Sequence, residues 1–219
     1  MKFDINNLNT KEKEQSVIND YNNIAKEYCE EFANTEIYNK YIDRFLDNVQ
    51  TSKILDVGCG CGNQCEYINE HLNFESIGID FSDKMLEEAK KRFPNVKVSK
   101  MNMTDMNYQD DNFDGILSNC SLIHVPSELI AKTINEFSRV LKPNGKLLLI
   151  VLEGDGEEMV EEPYRKDTYV YTKYFRENEI IQMLNENGFK VDILEKRKTE
   201  SENELSSNEL IIYATNVKN

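Results

Sequence analysis

Apolar positions recur along this chain in two rhythms. Val17, Ile18, Tyr21, Ile24, Ala25, Tyr28 and Phe32 return at three- and four-residue intervals from Ser16 onward, and Ile37, Tyr38, Tyr41, Ile42, Phe45, Leu46 and Val49 do so again, predicting two amphipathic helices. Residues 1–15 are polar and predict a frayed start. Short apolar runs then alternate with helical patterns. Lys53–Val57, Ser76–Asp80, Val96–Ser99, Phe113–Ser118 and Lys146–Leu152 read as strands. Between them fall a helix running to about Leu72, one capped by Ser82 with Met85, Leu86 and Ala89 facing inward, and one opened by Pro126 and carrying Ile130, Ile134, Phe137 and Val140. Strand alternating with helix predicts a largely parallel sheet covered on both faces.

Residues 153–175 interrupt this rhythm, with an acidic start and then Tyr164, Tyr169, Tyr171 and Tyr174. A connection of this length without clear period suggests a lid. Ile180, Ile181, Met183 and Leu184 then mark a helix stopped by Asn187-Gly188, Phe189, Val191 and Ile193 alternate as a strand, and Leu210–Ala214 forms another across a polar tract. The last two strands suggest an antiparallel hairpin. At 219 residues the chain suits one domain, divided into a helical cap (1–50), a core (51–152), the lid-like insertion (153–175) and a C-terminal helix and hairpin (176–219).

Composition narrows the partners. The formal charge, 26 − 40 = −14, disfavours nucleic acid and anionic membrane surfaces alike. No apolar run approaches a membrane span, and the start lacks a signal-peptide core, so a cytoplasmic location is expected. Five cysteines are an odd count, and Cys59, Cys61 and Cys65 crowd one turn, which argues against a secreted disulfide framework. Their spacing is not a paired zinc framework, and only His71 and His124 accompany them, so no metal is expected and small apolar loop fillers describe them better.

The chemistry concentrates where the first strand breaks into glycines: Asp56-x-Gly58-x-Gly60-x-Gly62. Alternating glycines free the backbone for positive φ and close approach to a ligand, and the helix that follows offers its N–H groups. A dinucleotide fingerprint wants glycine at position 63, where Asn63 stands. The row instead resembles motif I of the class I S-adenosylmethionine (SAM)-dependent methyltransferases, within the broad group that includes the ubiquinone and menaquinone C-methyltransferases. The resemblance covers nearly the whole chain. It implies an α/β, Rossmann-like, seven-stranded and mostly parallel sheet with helices on both faces, an antiparallel C-terminal hairpin and a helical N-terminal cap.

It also implies a cofactor site built from Asp56, Gly58, Cys59, Gly60, Asp80, Phe81, Met85, Asn102, Met103 and Asn119. Asp80, 22 residues after Gly58, ends the second strand where a carboxylate accepts from both ribose hydroxyls. Phe81 packs on the adenine, and Asn102 takes its amino group where the family often has Asp. Tyr21-Asn22-Asn23-Ile24-Ala25-Lys26-Glu27-Tyr28 resembles the N-terminal helix that closes over SAM in small-molecule methyltransferases. Tyr21, Tyr28, His124 and Tyr164 are the candidate acceptor-binding residues, and His124 is the candidate general base.

The implied reaction is direct in-line displacement of methyl from SAM onto a small molecule, leaving S-adenosylhomocysteine (SAH). The expected assembly is a monomer or homodimer, without nucleic acid or membrane. Two alternatives stand beside it: a SAM- or SAH-binding module without turnover, and a protein or tRNA methyltransferase. A nicotinamide-dependent oxidoreductase is disfavoured by Asn63. The Asn/Asp-Pro-Pro-Tyr signature of amino methylation and a Pro-Cys nucleophile are both absent from the sequence.

Overall fold

Residues 8–31, 36–49, 53–71, 74–161, 168–198 and 208–218 are described by a computed structural model. Two helices, α1 (Thr10–Glu31) and α2 (Asn39–Leu46), precede β1 (Lys53–Val57), α3 (Asn63–Asn69), β2 (Glu75–Asp80), α4 (Asp83–Arg92), β3 (Lys97–Lys100) and β4 (Phe113–Asn119). After two 3₁₀ turns come α5 (Ile130–Val140), β5 (Leu141–Leu152), β6 (Glu157–Glu161), β7 (Tyr169–Lys173), α6 (Glu177–Glu186), β8 (Phe189–Lys198) and β9 (Asn208–Asn216). Seven strands form one sheet in the order β3-β2-β1-β4-β5-β9-β8, parallel from β3 through β5 and antiparallel where β9 inserts between β5 and β8. This is the expected Rossmann-like sheet with its antiparallel end. The order reverses between β1 and β4, so a crevice opens at their C-terminal ends.

Period-two alternation sorts the strand residues onto two faces. Leu55, Ile116, Leu147 and Leu149 meet Ile134 and Phe137 of α5 and Ile180 and Leu184 of α6. Ile54, Leu117, Leu148 and Ile150 meet Tyr41, Ile42, Phe45 and Leu46 of α2 and Ile68 of α3. Each large side chain removed from water in this way contributes roughly 1.5–3 kcal/mol. The sheet is therefore a rigid floor from which the strand ends project.

Three local expectations need correction. α1 starts at Thr10, well before Ser16, because Asn9 and Glu12 form a reciprocal cap: Asn9 Oδ1 accepts the Glu12 N–H at 3.1 Å and Glu12 Oε2 accepts the Asn9 N–H at 2.8 Å. Pro126 opens only a 3₁₀ turn, Ser127–Leu129, and α5 begins at Ile130. The 153–175 segment carries structure of its own, since β6 and β7 pair antiparallel as a separate two-stranded sheet.

That small sheet is tied to α1 by a buried lysine. Lys13, 5% exposed, places Nζ 2.7 Å from Glu157 Oε1 of β6 and 3.3 Å from Glu128 Oε1. Glu157 also accepts from the hydroxyls of Tyr171, at 2.6 Å, and Ser127. Partial burial alone would raise the Glu157 carboxyl, but Lys13 and the two hydroxyls outweigh it and hold it at about 2. A carboxyl depressed in this way stabilises the fold above its ordinary range and loses that contribution as pH falls toward 2. Lys13→Met keeps the side-chain length but leaves the carboxylate without its cation. It is expected to lower stability by about 2 kcal/mol at neutral pH, measured as a shift in urea midpoint, by somewhat less at pH 3, and by little near pH 2.

Candidate cofactor and acceptor site

The glycine turn is set by backbone bonds to the neighbouring strand. The N–H groups of Gly58 and Cys59 both donate to the Ile79 carbonyl of β2, at 2.8 and 3.0 Å. Gly58, Gly60 and Gly62 have φ of +72°, +49° and +78°, a region that costs other L-residues about 1–2 kcal/mol. A methyl group at Gly58 would overlap Ser121, whose Oγ donates to the Val57 carbonyl at 2.6 Å and shares a hydrogen with Ser118 Oγ at 2.8 Å. At Gly60 nothing lies within 4 Å of the same position. The turn thus presents bare backbone to open space.

Asp80 braces this turn. Its Oδ2 accepts the Gly60 N–H at 2.9 Å and its Oδ1 the Ser82 N–H at 2.8 Å. Burial pushes its carboxyl up, and the backbone donors oppose that shift. Ser82 caps α4 as expected, accepting from the Met85 N–H at 3.2 Å. Asn22 of α1 adds to the cap, its Oδ1 accepting from Ser82 Oγ at 2.8 Å and from the Lys84 N–H at 3.1 Å. One amide therefore couples the cap helix to the wall of the cleft.

A cavity partly open to solvent lies over the strand ends. Among its walls are Gly58, Gly60, Asp80, Phe81, Met85, Asn102, Met103 and Asn119, together with Tyr21, Tyr28 and His124. A second shares Gly58, Gly60, Asn119, Cys120, Tyr21, Tyr28 and His124 with the first and extends to Cys59, Leu152, Glu158 and Tyr174. The two form one chamber roofed by α1. Tyr164 lies outside the described residues.

Asp56 stands apart from the other expected residues, because it lines neither cavity. It is 1% exposed; Oδ2 accepts from the Cys65 thiol at 3.3 Å and Oδ1 is buried without a partner. Burial pushes its carboxyl up to about 7, the Cys65 thiol opposing and Asp80 adding to the rise. Cys59 presents its side chain to Gly78 and Cys65 beneath the turn, so only its backbone is suited to a ligand. Asn102 Oδ1 already accepts the Thr104 N–H at 2.9 Å, while its Nδ2 donates to Glu14 of α1 at 3.1 Å. Glu14 is a wall residue that the α1 pattern alone did not single out. Cys61, expected as a loop filler, is instead disulfide-bonded to Cys29 of α1.

His124 is enclosed by protein except where it faces the chamber. Its Nδ1 lies 2.8 Å from the Tyr171 carbonyl, which can only accept, so Nδ1 carries the proton. Nε2 is then the acceptor for the Tyr21 hydroxyl at 2.7 Å. Burial lowers the imidazole to about 4, against the Tyr171 carbonyl, which favours the charged form. At neutral pH the ring is neutral, with its free lone pair directed at Tyr21.

These features suit SAM. The unfilled space at Gly60, the braced Asp80 and the orphaned buried oxygen of Asn119 supply close backbone approach and acceptors for a cationic, hydroxyl-bearing group. Such a group carries an electrophilic methyl on its sulfonium. Asp80→Ala is expected to weaken SAM binding at least tenfold, about 1.4 kcal/mol, by calorimetry; unchanged affinity would remove Asp80 from the site.

Known proteins support this reading. A methyltransferase-domain family model matches residues 54–145. An uncharacterized protein of Methanocaldococcus jannaschii is 30% identical over 79% of this chain and 82% of its own length. The demethylmenaquinone methyltransferase of Staphylococcus aureus (strain JH9) is 29% identical over 59% of this chain and 57% of its own length. Among solved structures, Burkholderia thailandensis 1,6-didemethyltoxoflavin-N1-methyltransferase, with bound 1,6-didemethyltoxoflavin and S-adenosylhomocysteine, superposes with a TM-score of 0.76 at 16% identity. That match covers 99% of this chain and 94% of the other. The chain belongs to the class I SAM-dependent methyltransferases.

Proposed function

We propose that this methyltransferase acts on a small-molecule acceptor. The observation that carries this reading is the chamber under α1, whose two adjoining cavities share Gly58, Gly60, Asn119, Cys120, Tyr21, Tyr28 and His124. A roofed space of this kind suits a ligand that is enclosed, with mainly apolar and aromatic walls and a few oriented polar groups. A folded protein or a tRNA would have to present its acceptor past α1 and the β6–β7 sheet, and the charge of −14 opposes the tRNA. The toxoflavin and menaquinone relatives are named for small acceptors, which supports the same reading.

In this mechanism Gly58, Gly60 and Asp80 hold the cofactor, and the acceptor lies against Tyr21, Tyr28 and His124. Positioning supplies much of the rate, because well-oriented partners reach effective molarities of ~10⁵ M or more. Where the acceptor must lose a proton, Tyr21 receives it and passes its own to His124 Nε2. The roof excludes water while charge relocates.

The test is SAM turnover against phenols, amines, thiols and carboxylates, with SAH formation as the readout. Turnover of one class is expected. Binding of SAM without consumption on any panel member, and without trapping of a ligand from extract, would favour the binding-module alternative.

A further inference from the structure

The disulfide Cys29–Cys61 joins the roof of the chamber to its floor. Cys29 lies in the last third of α1, the helix that contributes Tyr21 and Tyr28 to both cavities. Cys61 lies between Gly60 and Gly62 in the turn that faces the cofactor. The bond sits in a small cluster of Ala25, Cys29, Cys61 and Met85, apart from the two main cores. Cys59 and Cys65, in or beside the same turn, are buried and free. Sulfur is thus crosslinked where a covering helix meets the cofactor loop, and remains as thiol where the loop packs on the sheet.

We infer that this pair is a redox-operated latch that sets how fast SAM enters and SAH leaves. With the bond formed, α1 cannot lift from the glycine turn. With the bond reduced, that end of α1 is held by weaker contacts: Asn22 on the α4 cap, the Arg92 guanidinium on the Cys29 carbonyl, and local packing. Its separation then needs no covalent step. The latch rests on the cofactor site and is independent of which acceptor the enzyme takes.

The exchange balances with a small-molecule disulfide such as glutathione disulfide as oxidant. One cysteine thiolate attacks it, forming a mixed disulfide and releasing one glutathione thiol. The second cysteine thiolate then attacks the protein sulfur of that mixed disulfide, closing Cys29–Cys61 and releasing the second glutathione thiol. Two electrons and two protons pass from the protein pair to glutathione, and a dithiol reverses the sequence. Cys29 and Cys61 are 1% and 5% exposed, so oxidation proceeds from a lifted α1, and reduction from local opening around the bond that admits the dithiol while the crosslink still ties α1 to the turn. A cofactor that holds α1 down therefore preserves whichever redox state it meets.

A crosslink serving stability alone would raise the melting temperature in both helix and core without setting cofactor exchange. The experiment separates the two. The full chain is poised with dithiothreitol or with glutathione disulfide, its thiol state is verified by alkylation and mass measurement, and tritiated SAM is loaded and chased with excess unlabelled SAH. Release is expected to be at least tenfold slower from the oxidised protein, and Cys29→Ser is expected to match reduced wild type under both treatments. Equal release from the two wild-type states, or a Cys29→Ser protein that still responds to glutathione disulfide, would overturn the latch. Hydrogen exchange of the α1 amides in wild type alone, expected to be at least tenfold slower when oxidised, decides the matter should the variant fail to fold. Equal exchange there overturns it too. Failure of SAM to bind either state would count against the cofactor assignment, and the hydrogen-exchange comparison would still test the latch.

Discussion

Gly58→Ala is expected to weaken SAM and SAH binding more than a hundredfold, about 2.7 kcal/mol or more, while leaving a folded chain. The added methyl would stand 2.3 Å from Ser121 Cβ and 2.9 Å from its Oγ, at a backbone φ of +72°. Ser121 has no easy retreat, since its hydroxyl is fixed between the Val57 carbonyl and Ser118. The turn must move instead, away from the Ile79 carbonyl that holds Gly58 and Cys59 and away from Asp80, whose bond to Gly60 aligns the two halves of the site. Gly60→Ala is the control for backbone strain alone. Its φ is +49°, but its methyl meets nothing within 4 Å, so the cost to folding is about 1–2 kcal/mol and the turn keeps its path. Calorimetry with SAH reads the difference. If Gly58→Ala binds SAH as wild type does, the turn does not shape the cofactor site.

The parts of the site legible in the sequence are those whose residue type is dictated by backbone geometry. Three alternating glycines mark positive φ, and two of them, Gly58 and Gly60, stand at the cavity wall with Asp80, the acid at the end of the next strand. Asp56 was legible as part of the pattern but not in its place, since burial beneath the turn depends on how β1 packs. The closing elements were less readable. Lys13 looks like a solvated helix residue until β6 supplies Glu157, 144 positions away, and nothing local predicts that pairing. The β6–β7 sheet showed no strand period because β7 is covered on both faces, with Val170, Tyr171, Thr172 and Lys173 all buried in succession. Cys29 and Cys61 are 32 residues apart, and only the path of α1 across the glycine turn brings them together. The helix start at Thr10 is different. Asn9-x-x-Glu12 is a local capping signal, masked by the polar composition around it.

His124→Gln and Tyr21→Phe are each expected to lower kcat about a hundredfold on an acceptor that must lose a proton, the low end of the usual range for acid–base groups. Neither should change SAM affinity more than a few-fold. Proton transfer is feasible although burial holds the imidazole near 4, because the positive charge of the site is moved and not created. Methyl transfer removes the sulfonium charge, and the proton that arrives on Nε2 through Tyr21 restores a charge in the same enclosed chamber. The Tyr171 carbonyl, accepting from Nδ1, stabilises the imidazolium that results. Since the two groups act as one relay, the double variant should be little worse than either single one. The pH profile carries a second signature. A lowered imidazole keeps Nε2 unprotonated above about 4, so its activity is retained as pH falls through 6.5 and lost only near 4. For the wild type, kcat is therefore expected to show no acid limb between pH 8 and pH 5 attributable to this ring. An apparent pKa near 6.5 that disappears in His124→Gln would show a ring exposed to water during turnover, and additive losses in the double variant would separate Tyr21 from His124. Full activity in both single variants would leave proximity alone as the source of rate, with His124 serving to hold Tyr21 of α1 against Tyr171 of β7.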